Sequence, residues 1–188
     1  MPSAAEVVRA ARAAQAGGLV VGTSGNASAR DGERVLITPA ALPYDEMEPV
    51  DVVALSLDGA VLSGAREPSS ERRLHLAIYR ARPEAGAVVH THSVQATAWS
   101  YLGAELDTGS EELEAVVGGT VRTAPHAPSG SEALAEGAVR ALEGRRAALL
   151  ERHGVVGIGD SPAAALAVCQ VVERQAQIAW LVRGATRP

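Results

Sequence analysis

Two histidines stand two residues apart in Val88-Val89-His90-Thr91-His92, directly behind an apolar run. In a β-strand, residues i and i+2 share a face. Two imidazoles then converge on one point, which is how a protein begins a site for a divalent metal of the zinc type. Two merely packed histidines on one strand face make the weaker reading, because each would need a buried polar partner. A third imidazole, His153, stands in Arg152-His153-Gly154, where the glycine leaves backbone room. Three histidines leave a fourth position open for water or substrate, the arrangement of a catalytic metal. Glu71 falls in the first turn of an expected helix, where a negative charge complements the helix dipole. Dipole compensation and a functional carboxylate are equally open there. Ser69 and Ser70 sit at the same helix start, which favours a phosphate or carboxylate. Gly22 to Arg30 reads as a small, polar, Gly-punctuated loop whose N–H groups could approach an anion, although such a loop is more often only a turn. His75, one turn after Glu71, reads as a packed or surface helix residue.

The elements that must carry these groups follow from pattern. Ser3-Ala4-Ala5-Glu6 is a capping box opening an Ala-rich helix that Gly17-Gly18 stops. Arg34 to Thr38 is a strand ended by Pro39, and Val52 to Leu62 is a hairpin turning at Asp58-Gly59. The Glu71 helix, capped by Ser69 or Ser70, runs to about Arg82-Pro83. Gly86 to Thr91 is the histidine strand, and Ser93 to Tyr101 is helical. A short helix capped by Ser110 follows, then a strand over Thr120 to Thr123 and a loop over Pro125 to Gly130. Ser131 caps a helix reaching Leu142. Strands Ala147 to Leu150 and Val155 to Ile158 flank His153. Ser161-Pro162 starts a last helix, to about Arg183, with Pro at the first helical position. Its apolar residues go nearly all round, so it is expected to be buried on several sides, including by another subunit. The fold class is α/β (α+β-like): one domain over residues 1–188, with a central, mainly antiparallel sheet covered by helices on both sides.

Composition narrows the chemistry. All 17 basic residues are Arg. Without lysine, Schiff-base aldolase and pyridoxal chemistry are excluded. Aromatics make up 3% and the net charge is −5, which argues against nucleic-acid binding. The single Cys169 reads as a buried small hydrophobe. No signal peptide and no membrane-spanning run is found, so a cytoplasmic protein is expected.

Gly25-Asn26-Ala27-Ser28-Ala29-Arg30, Leu36-Ile37-Thr38-Pro39, Pro68-Ser69-Ser70-Glu71, His90-Thr91-His92 and Arg152-His153-Gly154 occur in one order. In that order they resemble the class II aldolase/adducin family, in its L-fuculose-1-phosphate aldolase branch, from about residue 4 to residue 184. The resemblance implies that His90, His92 and His153 bind Zn²⁺ and that Glu71 is the acid/base. It implies that Thr23, Gly25, Asn26, Ser69 and Ser70 hold a substrate phosphate. It also implies a homotetramer with active sites between subunits. The activity implied is reversible aldol cleavage of a small sugar phosphate or hydroxy-ketone. A Lewis-acid cation would stabilise the enediolate charge, and Glu71 would move a proton, a role that calls for a pKa raised toward the working pH. A Glu at this place resembles the aldolases; related epimerases carry Asp.

The pattern departs from the aldolases in three places. Ala41 replaces a Gly that follows Thr-Pro-x in their phosphate pocket. Glu111-Glu112 stands where they place a Tyr, and Glu112 is the second acid/base candidate, as in related methylthioribulose-1-phosphate dehydratases. Their closing C-terminal tail is expected to be missing or very short here. The alternatives are a dehydratase, epimerase or decarboxylase on the same metal scaffold, or a non-catalytic oligomerisation module like the adducin head. The retained histidines and Glu71 argue against the last.

Overall fold

Ser3 Oγ accepts from the Glu6 amide, and the Glu6 carboxylate accepts from the Ser3 amide. The capping box thus starts α1 (Ala4–Ala16) in the computed structural model, which describes residues 3–185. The strands are β1 (Asn26–Asp31), β2 (Arg34–Ile37), β3 (Val53–Ser56), β4 (Val61–Ser63), β5 (Ala87–Thr91), β6 (Arg122–Ala124), β7 (Ala147–Leu150) and β8 (Gly154–Gly159). The other helices are α2 (Arg72–Ala81), α3 (Val94–Ser100), α4 (Glu111–Val117), α5 (Glu132–Ala141) and α6 (Pro162–Ala185). One eight-stranded sheet runs β4-β3-β2-β1-β5-β8-β7-β6. Every adjacent pair is antiparallel except β6 with β7.

Strand alternation divides the core into two layers. Ala87 and Val89 of β5, with Leu149 and Val155, pack against α1, α3, α4 and α6. Val88 of β5, with Leu150 and Val156, packs against α2 and α5. His90 continues the parity of Val88, so it faces the α2 side. The expected mainly antiparallel sheet with helices on both sides is therefore what forms.

Two local expectations change. Gly22 to Arg30, expected as a loop, contributes a strand: Asn26–Asp31 is β1, paired on one side with β2 and on the other with β5. It lacks the β-branched residues that mark strands in sequence. Small Ala27 and Ala29 fill the crowded α1/α6 side, and polar Asn26 and Ser28 face α2. The N-cap of α2 is Glu71 itself, not Ser69 or Ser70. Ser69 Oγ instead accepts from the Glu71 amide at 3.2 Å.

On the other layer, α3 receives its cap from outside. The two Glu173 oxygens of α6 accept from the Gln95 and Ala96 amides at 2.9 and 2.8 Å. The helix that follows the His90–His92 segment is thereby tied to α6. Cys169 of α6 is fully buried, and burial pushes its thiol up to about 12. Beyond its buried stripe, α6 exposes Ile178, Leu181 and Val182, and α3 with the turn after it exposes Val94, Tyr101 and Leu102. The all-round apolar reading of α6 thus corresponds to one face in the core and apolar side chains left outside it.

Candidate metal centre

The His-x-His spacing does what a strand end requires of it. His90 and His92 bring their Nε2 atoms to 2.9 Å, and His153 Nε2 lies 3.3 Å from His90 Nε2. His153 reaches the pair from the loop between β7 and β8, where Arg152 takes a left-handed conformation (φ 58). Gly154 is required beside it: a Cβ there would lie 2.3 Å from the Thr91 carbonyl oxygen and 3.2 Å from both His90 and His92. Glu71 closes the group from the start of α2, with carboxylate oxygens 3.3 Å from His90 Nε2 and 3.4 Å from His153 Nε2. One donor atom from each of these four residues falls within 4.8 Å of the others.

These donors fit a divalent cation. Tetrahedral ligands at about 2.05 Å from zinc stand about 3.3 Å apart, and the nitrogen separations lie close to that. His90 Nδ1–H donates to the Val155 carbonyl at 2.9 Å, which leaves Nε2 as a lone pair facing the centre. Burial holds His90 and His92 below the usual imidazole range. Neutral imidazoles aimed at one another have no proton to share well, and a cation resolves that arrangement.

Glu71 is held at both oxygens. Asn26 Nδ2–H donates to Oε2 and Ser129 Oγ–H donates to Oε1, each at 2.9 Å. Burial pushes the carboxyl up, but charge on His90 and His153 and these two hydrogen bonds outweigh it, so the group is held below the usual carboxylate range. Burial keeps His90 neutral at pH 7, so its charge adds nothing there, and the hydrogen bonds from Asn26 and Ser129 still favour the ionised Glu71. The raised pKa that a base would favour is therefore not what this closed centre provides.

A cavity of about 330 Å³ opens beside Glu71, His92 and His153. Thr23, Gly25, Asn26, Ser69 and Ser70 all line it, so the five expected phosphate contacts are brought together around it. Among the described residues no arginine lines it; its donors include hydroxyl, amide and backbone groups. Ala41 lines it too, with φ 55. A non-glycine residue there costs roughly 1 kcal/mol of backbone strain, and its methyl narrows the pocket where the resembled aldolases have Gly. Asn26 is more committed than expected, since its carbonyl also receives His75 Nε2–H at 2.5 Å. Glu112 is not among the lining residues. It accepts from Gln175 Nε2 at 2.8 Å, with Arg174 at 3.9 Å, so α6 holds it.

Sequence reading missed Ser129, Tyr44 and His75. Ser129 lay in a stretch read only as a loop. Gly130 after it is packed tightly enough that a Cβ would lie 2.7 Å from the Ser70 carbonyl oxygen, which locks the loop to the Glu71 segment. Tyr44 Oη donates to the Gly25 carbonyl at 2.5 Å and pins the Gly22–Gly25 turn. His75 is fully buried. The signal for it was present: Glu71, His75 and Tyr79 recur every fourth residue opposite Asn26 and Ser28, two apart on a strand.

His75 carries a pH prediction. Burial lowers its pKa from 6.5 to about 4, with Glu71 opposing. The unfolded chain therefore binds the extra proton first as pH falls. The stability is complete above pH 6.5 and is lost on acidification toward pH 4, by about 3 kcal/mol. Urea midpoints of the wild type should fall through this window, and those of His75→Gln, which lacks the titrating ring, should fall less. Parallel curves would contradict a buried neutral His75.

A sheet of this order, carrying three imidazoles and one carboxylate at one end, defines a protein built around a divalent-metal site. Residues 5–180 match the family described as class II aldolase and adducin N-terminal domain, and the chain belongs to that family. It is 40% identical over 185 residues to the 5-deoxy-D-ribulose 1-phosphate aldolase of Bacillus thuringiensis serovar kurstaki, spanning 97% of this chain and 86% of that one. It is 36% identical over 171 residues to the L-fuculose phosphate aldolase of Escherichia coli, spanning 91% and 79%. A solved L-fuculose 1-phosphate aldolase superposes with a TM-score of 0.94 at 33% identity, covering 98% of this chain and 88% of that one. With the donor cluster retained on this fold, the chain is a metal-dependent class II aldolase, and the family and cluster imply a divalent metal.

Proposed function

We propose that this enzyme binds Zn²⁺ through His90, His92 and His153 and reversibly cleaves a small ketose 1-phosphate, with Glu71 moving the proton. The observation that carries the reading is the convergence of three imidazoles and a carboxylate beside a cavity lined by hydroxyls and amides. When bound, the cation supplies Lewis-acid stabilisation of the charge left on the cleaved carbon–carbon unit. The protein's own groups do the rest. Ser129 and Asn26 fix the two oxygens of Glu71, so that one orientation faces the cavity. The free hydroxyl hydrogens of Thr23, Ser69 and Ser70, and the second Asn26 N–H, are the donors available to a phosphate.

The relatives' names narrow the substrate class. They include a 5-deoxyribulose 1-phosphate aldolase, a 5-methylthioribulose-1-phosphate/5-deoxyribulose-1-phosphate aldolase and L-fuculose phosphate aldolases. The common chemistry is a ketose phosphorylated at carbon 1 that yields dihydroxyacetone phosphate and an aldehyde. Homotetramers with sites between subunits belong to the same reading. The apolar side chains left outside the core on α3 and α6 support it, and Glu112, held on α6 away from its own cavity, could then serve a neighbouring subunit. A cytoplasmic location fits the single buried thiol. No helix of the described residues is long and apolar enough to cross a membrane.

The test is a panel of 1-phosphorylated ketoses, including 5-deoxypentuloses, incubated with zinc-loaded protein and read by a coupled assay for dihydroxyacetone phosphate. Release from at least one is expected. No release from any would sink the aldol reading and favour dehydration or epimerisation on the same centre.

A further inference from the structure

A buried file of hydrogen bonds runs from the far side of α2 to the catalytic carboxylate. Tyr79 Oη lies 2.8 Å from Ser28 Oγ, which lies 2.6 Å from His75 Nδ1. His75 Nε2 lies 2.5 Å from Asn26 Oδ1, and Asn26 Nδ2 lies 2.9 Å from Glu71 Oε2. Ser28 and His75 are completely buried, and Asn26 and Glu71 are about 5% and 4% exposed, so water reaches only the cavity end of the file.

The direction of every bond follows from one end. Glu71 Oε2 accepts from Asn26 Nδ2–H, which places the amide carbonyl toward His75. That carbonyl also only accepts, so the single proton of neutral His75 must sit on Nε2. Nδ1 is then a lone pair and takes the Ser28 hydroxyl hydrogen. Ser28 Oγ in turn receives the Tyr79 hydroxyl. All four donations point toward Glu71. The file cannot carry a proton away, because an amide stands between imidazole and carboxylate and has no proton to relay at neutral pH. What it can do is orient.

We propose that His75 is a positioning residue of this aldolase: as its Nε2–H tautomer, it locks the Asn26 amide with the NH₂ on Glu71 and so fixes the carboxylate rotamer. Without that bond the amide is held through its N–H to Glu71 alone and can swing into the cavity it lines, which takes the donor away from Oε2. The carboxylate turns away from the bond it must serve, and small misplacements of a catalytic group are costly. The geometry provides the lock from two periodicities: i, i+4, i+8 on the helix side and i, i+2 on β1. His75 bears on turnover in this way only if Glu71 moves the proton, as proposed above.

Two measurements test it, and they separate the lock from the role of Glu71. The first is ¹⁵N–¹H NMR of histidine-labelled wild-type holoenzyme at pH 7. The His75 ring, identified by loss of its signals in His75→Gln, is expected to be neutral with the proton on Nε2. A proton on Nδ1, or an imidazolium, overturns the proposal whatever Glu71 does. The second compares His75→Leu with His75→Gln. The Gln amide nitrogen stands near the place of Nε2 and can donate to Asn26, and Leu cannot. His75→Leu is expected to lower kcat by about 10–100-fold, the range for a group supporting a metal site, with KM changed little and metal content unchanged. His75→Gln should recover most of kcat. Wild-type kcat in the Leu variant, or equal losses in both, overturns the proposal, since equal loss is the mark of packing alone. If His75→Leu fails to fold, His75→Asn replaces it: its shorter amide stands near the place of Nδ1 and does not reach Asn26, so kcat should fall as for Leu, and wild-type kcat overturns the lock. An inactive wild type on every ketose, with the Nε2–H tautomer present, would instead count against the proposed reaction.

Discussion

Replacing His92 with Ala is expected to strip the purified protein of its metal and, with it, of turnover. His92 is the outer imidazole of the pair, 2.9 Å from His90 Nε2. Without it, His90, His153 and the Glu71 carboxylate remain, and the two-residue parity that aimed two rings from one strand is lost. A supporting group around a metal is worth about 10–100-fold in affinity, and a direct ligand is worth more. Metal analysis after gel filtration should give about one equivalent per chain in the wild type and a small fraction of that in the variant. Ala is small enough not to disturb Gly154, whose backbone lies against both rings, so circular dichroism should be unchanged. A stoichiometrically loaded, folded variant would refute the ligand role.

The second large effect separates metal from chemistry. Glu71→Gln should keep metal on the three imidazoles and lower kcat by about 10²–10⁴-fold, the contribution typical of a positioned acid or base. The substitution is isosteric, but the surroundings resist one orientation. Asn26 Nδ2–H donates to one oxygen, so the new NH₂ must turn toward Ser129, whose hydroxyl can accept as well as donate. The fold is therefore preserved while the proton acceptor is lost. Paired measurements of metal content and dihydroxyacetone phosphate release check it. Wild-type kcat would show that Glu71 is not the proton-moving group, and simultaneous loss of metal would make it chiefly a ligand.

The half of the centre that lay in local sequence was the readable half. His90 and His92 sit on a strand whose apolar run is plain, and a period of two is a strong geometric statement. The asymmetric details were harder. β1 looked like a loop because its residues serve a crowded sheet centre on one side and a polar network on the other, so neither face carries the usual Val and Ile. The α2 start shifted by one or two residues because Ser69 Oγ accepts from the Glu71 amide, not from an amide inside the helix, and Glu71 takes the cap position. Ser129 gave no local signal at all. Its meeting with Glu71 spans 58 residues and depends on Gly130 packing against Ser70. Glu112 shows the converse: its position along the chain suggested the site, but α4 packs on α6 and delivers the carboxylate to Gln175.

Cys169 has a practical use. It is the only thiol in the chain, and it is sealed beneath β5 with its ionisation suppressed. Alkylating reagents attack the thiolate, so the native enzyme is close to invisible to maleimide dyes and spin labels. The absence of lysine also leaves the α-amino group as the sole amine for acylating labels. A single cysteine placed at an exposed position away from the apolar surface of α3 and α6, such as Glu33 in the β1–β2 turn, would then carry one probe per chain without first deleting a native residue. Distances between such probes would report whether copies of this enzyme associate in solution.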